Sequence, residues 1–163
     1  MSREEEAFVG IDVGKAHLEV ALWGNETSWH VSNDGDGIEK LITRLQALSP
    51  RLIVVEATGG LELPVVAAMA SAELPVAVVN PTRVRDFARA TGQLVKTDRL
   101  DALVLAHFAQ AVQPKVRPLR SEEGEHLVAL LTRRRQLVAM LTAEKNRLVS
   151  TRPQLRQRLQ KHI

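Results

Sequence analysis

Ala7-Phe-Val-Gly-Ile-Asp12 is the stretch that decides the fold: a short apolar run that ends in an acid, with Gly14 just beyond it. It reads as a buried strand. His17-Leu-Glu-Val-Ala-Leu22 alternates with period two and reads as a half-exposed strand. The short link Val13 to Ala16 makes the two a hairpin. Ser28 to Ser32 is a candidate third strand, followed by the turn-rich Asn33-Asp34-Gly35-Asp36-Gly37. Ile38, Leu41, Ile42, Leu45 and Leu48 then recur at helical spacing, and that helix should stop before Pro50. Arg51-Leu-Ile-Val-Val-Glu56 repeats the opening pattern and is stopped by Thr58, Gly59 and Gly60. A helix over roughly 61–72, a strand over 76–79 and a helix opened by Asn80-Pro81 follow. Hairpin first and βαβαβ afterwards means an α/β fold, a mixed sheet with helices packed on it.

Composition agrees with that reading. The chain has 163 residues, 45% hydrophobic and 25% charged, enough for one domain with its own core and a helical appendage. The absence of cysteine excludes a disulfide scaffold, a thiolate metal site and a Cys nucleophile. The N-terminal Met1 to Glu6 is acidic where a signal peptide would be basic, and the apolar stretch Leu63 to Val79 is broken by Glu73 and Pro75. A cytoplasmic protein without a membrane partner is expected. Neither a GxxxxGK[ST] loop nor a GxGxxG fingerprint occurs.

Charge divides the chain in two. Residues 1–80 carry 5 Lys/Arg against 12 Asp/Glu, a net of −7, and residues 81–163 carry 17 against 7, a net of +10. Arginine supplies 16 of the 22 basic residues, the side chain suited to bidentate phosphate contacts. A nucleic-acid partner for the basic half is one reading, and a solvated helix surface is the other. The five aromatics, Phe8, Trp23, Trp29, Phe87 and Phe108, are too scattered to read as a basic-aromatic platform. Base stacking of the OB-fold or RRM kind is therefore not expected.

Gln113-Pro-Lys-Val-Arg-Pro118 marks a corner, so a domain over 1–118 and an arm over 119–163 are expected. Leu127, Leu130, Leu131, Leu137, Val138, Leu141, Leu148, Leu155 and Leu159 make a coiled-coil type of stripe along the arm, which Pro153 should kink or end near Ser150. From His126 onward there are nine Lys/Arg and one acid, Glu144. Arg133, Arg134, Arg135, Arg147, Arg152, Arg156 and Arg158 are candidates for phosphate contacts, with Arg83, Arg85, Arg89 and Lys96 in the preceding domain. The first three span nearly a full helical turn, so at most two can face one backbone. The arm has no core of its own and must pair with a second arm or fold back, and a dimer is expected. Its stripe still runs at Ile163, so the chain reads as a fragment of a longer protein.

Two acids stand at matching places, Asp12 after Val9-Gly10-Ile11 and Glu56 after Leu52 to Val55. If the strands are neighbours, both emerge at one carboxyl end, where open α/β sheets place their sites. Asp98 and Asp101, three residues apart, share a face at the opening of a helix expected over Leu100 to Ala111. Each acid has an ordinary explanation, as a strand's exit to solvent or as helix N-terminal chemistry. Together they form an all-oxygen set suited to Mg²⁺ or Mn²⁺, and paired hard cations clamp a phosphodiester for in-line displacement. The histidines at 17, 30, 107, 126 and 162 show no ligand spacing.

Phe8-Val-Gly-Ile-Asp-Val-Gly-Lys-Ala-His17, Val55-Glu-Ala-Thr-Gly-Gly60, Val79-Asn-Pro-Thr-Arg-Val-Arg-Asp-Phe-Ala-Arg89 and Lys96-Thr-Asp-Arg-Leu-Asp-Ala102 closely resemble the N-terminal domain of the DEDD transposases. This is the Piv/MooV (IS one-ten) family of bacterial insertion-sequence recombinases and pilin-gene invertases. Arg134-Arg-Gln-Leu-Val138 and Glu144-Lys-Asn-Arg-Leu148 resemble the family's coiled-coil helix. The resemblance implies an RNase H/RuvC-like fold with Asp12, Glu56, Asp98 and Asp101 as the catalytic, metal-holding acids. It implies divalent metal, DNA strand cleavage and exchange with a downstream catalytic-serine domain that this sequence lacks, action as an oligomer on the bacterial nucleoid, and guidance by a structured RNA. The fragment alone would be inactive.

Two rivals remain. Gly10 to Gly14 also resembles the first phosphate hairpin of the actin/sugar-kinase fold, which needs two large lobes and a second Gly-rich loop. The other rival is a non-catalytic nucleic-acid-binding and dimerisation module in which the acids only cap and solubilise.

Overall fold

The computed structural model describes residues 6–93, 98–117 and 122–150, with the side chains of 25, 26, 98, 149 and 150 outside the description. Three strands come first, β1 (Phe8–Val13), β2 (His17–Leu22) and β3 (Asn25–Ser32). They are followed by α1 (Gly35–Leu48), β4 (Leu52–Glu56), α2 (Leu63–Ser71), β5 (Val76–Val79), α3 (Pro81–Ala90), α4 (Asp98–Val112) and α5 (Glu122–Ser150). The sheet order is β3-β2-β1-β4-β5. β1 is antiparallel to β2 and parallel to β4, and β4 is parallel to β5. This is the mixed, helix-flanked sheet expected of the RNase H-like fold.

Strand alternation sorts the core into two layers, because successive side chains point to opposite faces. Val9, Ile11 and Val13 lie with Ile53 and Val55 on one face, under Leu41 and Leu45 of α1 and Val65 and Met69 of α2. Phe8, Leu52, Val54, Ala77 and Val79 lie on the other, under Val84 of α3 and Val104, Leu105 and Phe108 of α4. The caps are local. Asp34 accepts a 2.8 Å hydrogen bond from the Gly37 amide at the start of α1, and Asn80 accepts one of 2.8 Å from Thr82 at the start of α3. Ser49, in the left-handed region, closes α1 before Pro50.

Several boundaries differ from the sequence reading, three of them instructively. β3 begins at Asn25 rather than Ser28, since pairing with β2 across a bulge recruits three more residues. α2 is shorter, Leu63–Ser71, because the loop before it is held by Glu62. α4 begins at Asp98 rather than Leu100, which puts Asp98 inside the helix instead of capping it.

Residues 113–117 carry no regular structure and α5 is continuous to Ser150. The first turns of α5 pack on α2, where Thr132 Oγ1 donates to Ser71 Oγ at 3.3 Å and the Arg135 guanidinium donates to the Ser71 carbonyl. The arm thus folds back on the domain at its start. Pro153 lies outside the described residues. No described helix is long and apolar enough to cross a membrane.

Candidate functional site

Asp12 and Glu56 emerge side by side. The β1/β4 register pairs Gly10 with Val54 and Ile11 with Val55, and one more step sets Asp12 beside Glu56. Neighbouring strands lie about 4.8 Å apart. By alternation both acids belong to the face of Phe8, Gly10, Leu52 and Val54, the face that α4 covers. Both are half-buried.

Gly10 brings α4 to them. A Cβ on Gly10 would sit 2.2 Å from the Ala102 carbonyl oxygen, 2.2 Å from the Ala106 amide nitrogen and 2.7 Å from the Leu105 carbonyl carbon. Only glycine lets the helix backbone rest on the strand. The helix runs against the strand, because His107 stacks on Trp23, whose amide donates to the Phe8 carbonyl at the start of β1. Going one turn back from Ala102 to Asp98 covers about 6 Å of helix. Two residues of strand from Gly10 to Asp12 cover about 6.6 Å. The first turn of α4 is therefore level with Asp12 and Glu56. Asp101 is half-buried in that turn, and Asp98 holds the stripe position before Ala102 with its side chain outside the description.

Asp12, Glu56 and Asp101 each take part in a polar or electrostatic interaction. Among the described residues no three His, Asp or Glu side chains come close enough to hold a metal ion. The fold thus brings the four positions to one end of the sheet without gathering the three described acids into a ligand cluster. Their chemistry still fits a hard divalent cation, for the set is entirely carboxylate.

The loop that leaves Glu56 holds a residue the sequence reading passed over. Glu62 is 8% exposed, and its Oε2 accepts hydrogen bonds from the Thr58 amide (3.1 Å), the Thr58 hydroxyl (2.8 Å) and the Gly60 amide (2.9 Å). Gly59 and Gly60 take φ of 76° and 121° to turn those amides inward. Burial raises the carboxyl pKa, but the hydrogen bonds from its own amide, the Thr58 hydroxyl and the Gly60 and Thr58 amides together hold it below its ordinary value. The loop's amides already hold an anion of their own, so they do not form the second phosphate loop that a sugar-kinase fold needs. The signal in the sequence was an acid at the mouth of an apolar helix, two residues after a pair of glycines.

The basic candidates scatter. Arg83, Arg85 and Arg89 are exposed on α3, with Asp86 3.8 Å from Arg89. Arg133 is exposed, and Arg134 lies 3.4 Å from Glu39 of α1. Arg135 holds Ser71, and Arg147 pairs with Glu144 one turn earlier. Arg134 and Arg135 thus line a cleft of about 740 Å³ between α1, α2 and α5, across the sheet from α4. Lys96, Arg152, Arg156 and Arg158 lie outside the described residues. On α5, Leu130 (54%), Leu137 (48%) and Leu141 (39%) are exposed.

Comparison with known proteins identifies the family of the fold. The family model for transposases of the DEDD, IS110 type matches residues 9–156. The pilin gene-inverting protein of Moraxella bovis is 27% identical over 149 residues, covering 87% of this chain and 46% of that protein. That of Moraxella lacunata is 27% identical over 151 residues, again 87% of this chain and 46% of the relative. The chain therefore spans about half the length of these curated relatives.

Proposed function

The chain belongs to the DEDD transposase family, and from that premise we propose that it is the acidic half of a DNA strand-exchange centre. In this reading residues 1–118 are the catalytic domain and residues 119–163 a basic arm. Asp12, Glu56, Asp98 and Asp101 hold Mg²⁺ or Mn²⁺. The observation that carries the reading is the alignment of Asp12 with Glu56 on the α4 face, with Gly10 seating the first turn of α4 level with both.

A divalent cation at such a set polarises a phosphodiester and stabilises the charge that develops on it. The chain's own residues do the rest. Asp12 and Glu56 stand on rigid, parallel strand ends, so their separation is set by the sheet. Asp101 and position 98 belong to the first turn of α4, whose distance from the strands is set by the Gly10 contact. The Glu62 clamp fixes the loop that leaves Glu56. Catalysis by positioning and charge needs this rigidity. The nucleophilic serine belongs to a domain outside this chain, DNA is the substrate, and an element-encoded structured RNA is the guide. The arm supplies phosphate contacts and joins copies of the chain.

Calorimetric titration with Mn²⁺ tests the acids directly. Four nearby carboxylates repel one another, so metal should bind and raise the melting temperature by mass action, about 1.4 kcal/mol at ten times Kd. Asp12→Asn should abolish the effect. A melting curve indifferent to millimolar Mn²⁺, together with full recombination by a full-length Glu56→Gln variant, would sink the assignment. The described acids do not converge on their own, which favours the non-catalytic module as the second reading. That module predicts nucleic-acid binding with no metal response at all.

A further inference from the structure

Outside the acidic site the aromatic side chains gather at one spot. The Trp23 indole lies flat on the His107 imidazole, with ring centroids 3.9 Å apart and planes 4° apart. Phe87 of α3 meets the same imidazole edge-on at 4.8 Å and Phe108 at 5.3 Å, and the Arg83 guanidinium stands 5.8 Å over the Phe108 ring. Trp23 is 39% exposed even with the His107 imidazole stacked on it. Arg83 is exposed and stands one turn before Phe87, on the same face of α3. A planar, rigidly backed indole near an exposed guanidinium group has the chemistry of a seat for one unpaired base and its phosphate.

We propose that Trp23, backed by His107 and with Arg83 of α3 beside the same aromatic cluster, stacks on an unpaired base of a nucleic acid lying along the α4 side of the sheet. The proposal rests on the nucleic-acid reading above and names a contact within it. Trp23 is tied to Phe8, four residues before Asp12 and so about 13 Å of strand away. One strand can reach both. Burial lowers the His107 pKa, so the imidazole is neutral near pH 7 and presents a flat, uncharged backing. The indole and Arg83 come from the β2–β3 turn and α3, elements far apart in the chain, which is why no local pattern announces them.

The chain has two tryptophans, so Trp29→Phe leaves Trp23 as the reporter. That background is gentle. The buried Trp29 indole nitrogen has no hydrogen-bond partner among the described residues, and Arg44 lies over the ring, a stack that Phe retains. Short oligo(U) and oligo(dT) strands, titrated at low salt, should quench Trp23 emission, and a blunt duplex should quench it far less. The arm that quenches more strongly tells an RNA base from a DNA base. Trp23→Ala should weaken single-strand binding by roughly 5- to 100-fold, and Trp23→Phe should restore most of it. Binding seen by polarisation without quenching, and with equal affinity in Trp23→Ala, overturns the stacking proposal and leaves the nucleic-acid reading standing. No binding of any oligonucleotide overturns both. Emission that shifts with protein concentration alone shows a second copy covering the indole and overturns the base as its occupant.

Discussion

α4 and α5 are written in the same alphabet and meet opposite fates. Both carry apolar residues at helical spacing. In α4, Ala102, Val104, Leu105, Ala106, Phe108 and Ala109 are all buried. Among the described side chains of α5 only Gly124 is buried, and Leu130, Leu137 and Leu141 stand in solvent. The difference lies in what each helix meets. α4 has alanines at its contact positions and a glycine on the facing strand, so two backbones can touch and the larger side chains fall into place on either side. α5 meets α2 through Thr132 and Arg135 and reaches α1 through Arg134, and its residues beyond stand mostly in solvent. An apolar stripe states that a helix wants a partner; it does not say whether the chain itself supplies one.

The largest effect should come from filling the space that joins α4 to β1. Gly10→Ala places a methyl 2.2 Å from two backbone atoms that cannot swing aside. A loss well above the ~1–3 kcal/mol usual for overpacking, and larger than that of any side-chain truncation, is expected in urea denaturation. If the loss stays under about 0.5 kcal/mol, the strand–helix contact is looser than described.

Truncation sharpens the contrast between the helices. Leu105→Ala should cost about 2–5 kcal/mol, as a fully buried leucine does. Leu137→Ala, 48% exposed, should stay within about 0.5 kcal/mol at low protein concentration. Should Leu137→Ala become costly as concentration rises, a second copy covers the stripe and the arm is an interface.

Glu62→Gln comes next. The amide keeps one acceptor but brings an NH₂ toward the inward-facing donors, so a loss of about 1–3 kcal/mol is expected. It should also change the acid limb. Because the folded pKa is depressed, the carboxylate's contribution is full above about 4.5, the ordinary value, and is lost as pH falls through the folded value. Stability measured from pH 7 downward should therefore fall less steeply below that point in the variant than in the parent.

The smallest effect belongs to His107. Its pKa is lowered by burial from 6.5, so the unfolded chain takes up a proton first as pH falls. Stability should be highest above about 6.5, decline below it, and level off beneath the folded value. His107→Phe keeps a ring under Trp23 and removes the titration, and thermal melts between pH 5 and pH 8 should show a flatter profile. An unchanged profile would place the pH dependence elsewhere.

The order of strands and helices, the pairing of Asp12 with Glu56 at matching strand ends and the family itself were legible without a structure. Each rests on short-range periodicity or on contiguous blocks such as Asn80-Pro81 and Lys96 to Ala102. Alternation alone decides which strand residues share a face, because the period of two is built into the backbone. Contacts between distant parts of the chain were not legible. That Gly10 receives Ala102 and Ala106, that Glu62 turns back into the loop after Glu56, and that Trp23 comes to rest on His107 depend on where whole elements pack. The same is true of α5, whose stripe reads like a buried one although Leu130, Leu137 and Leu141 lie in solvent. Local sequence sets which side of an element is apolar, while the three-dimensional packing of the other elements decides what, if anything, covers it.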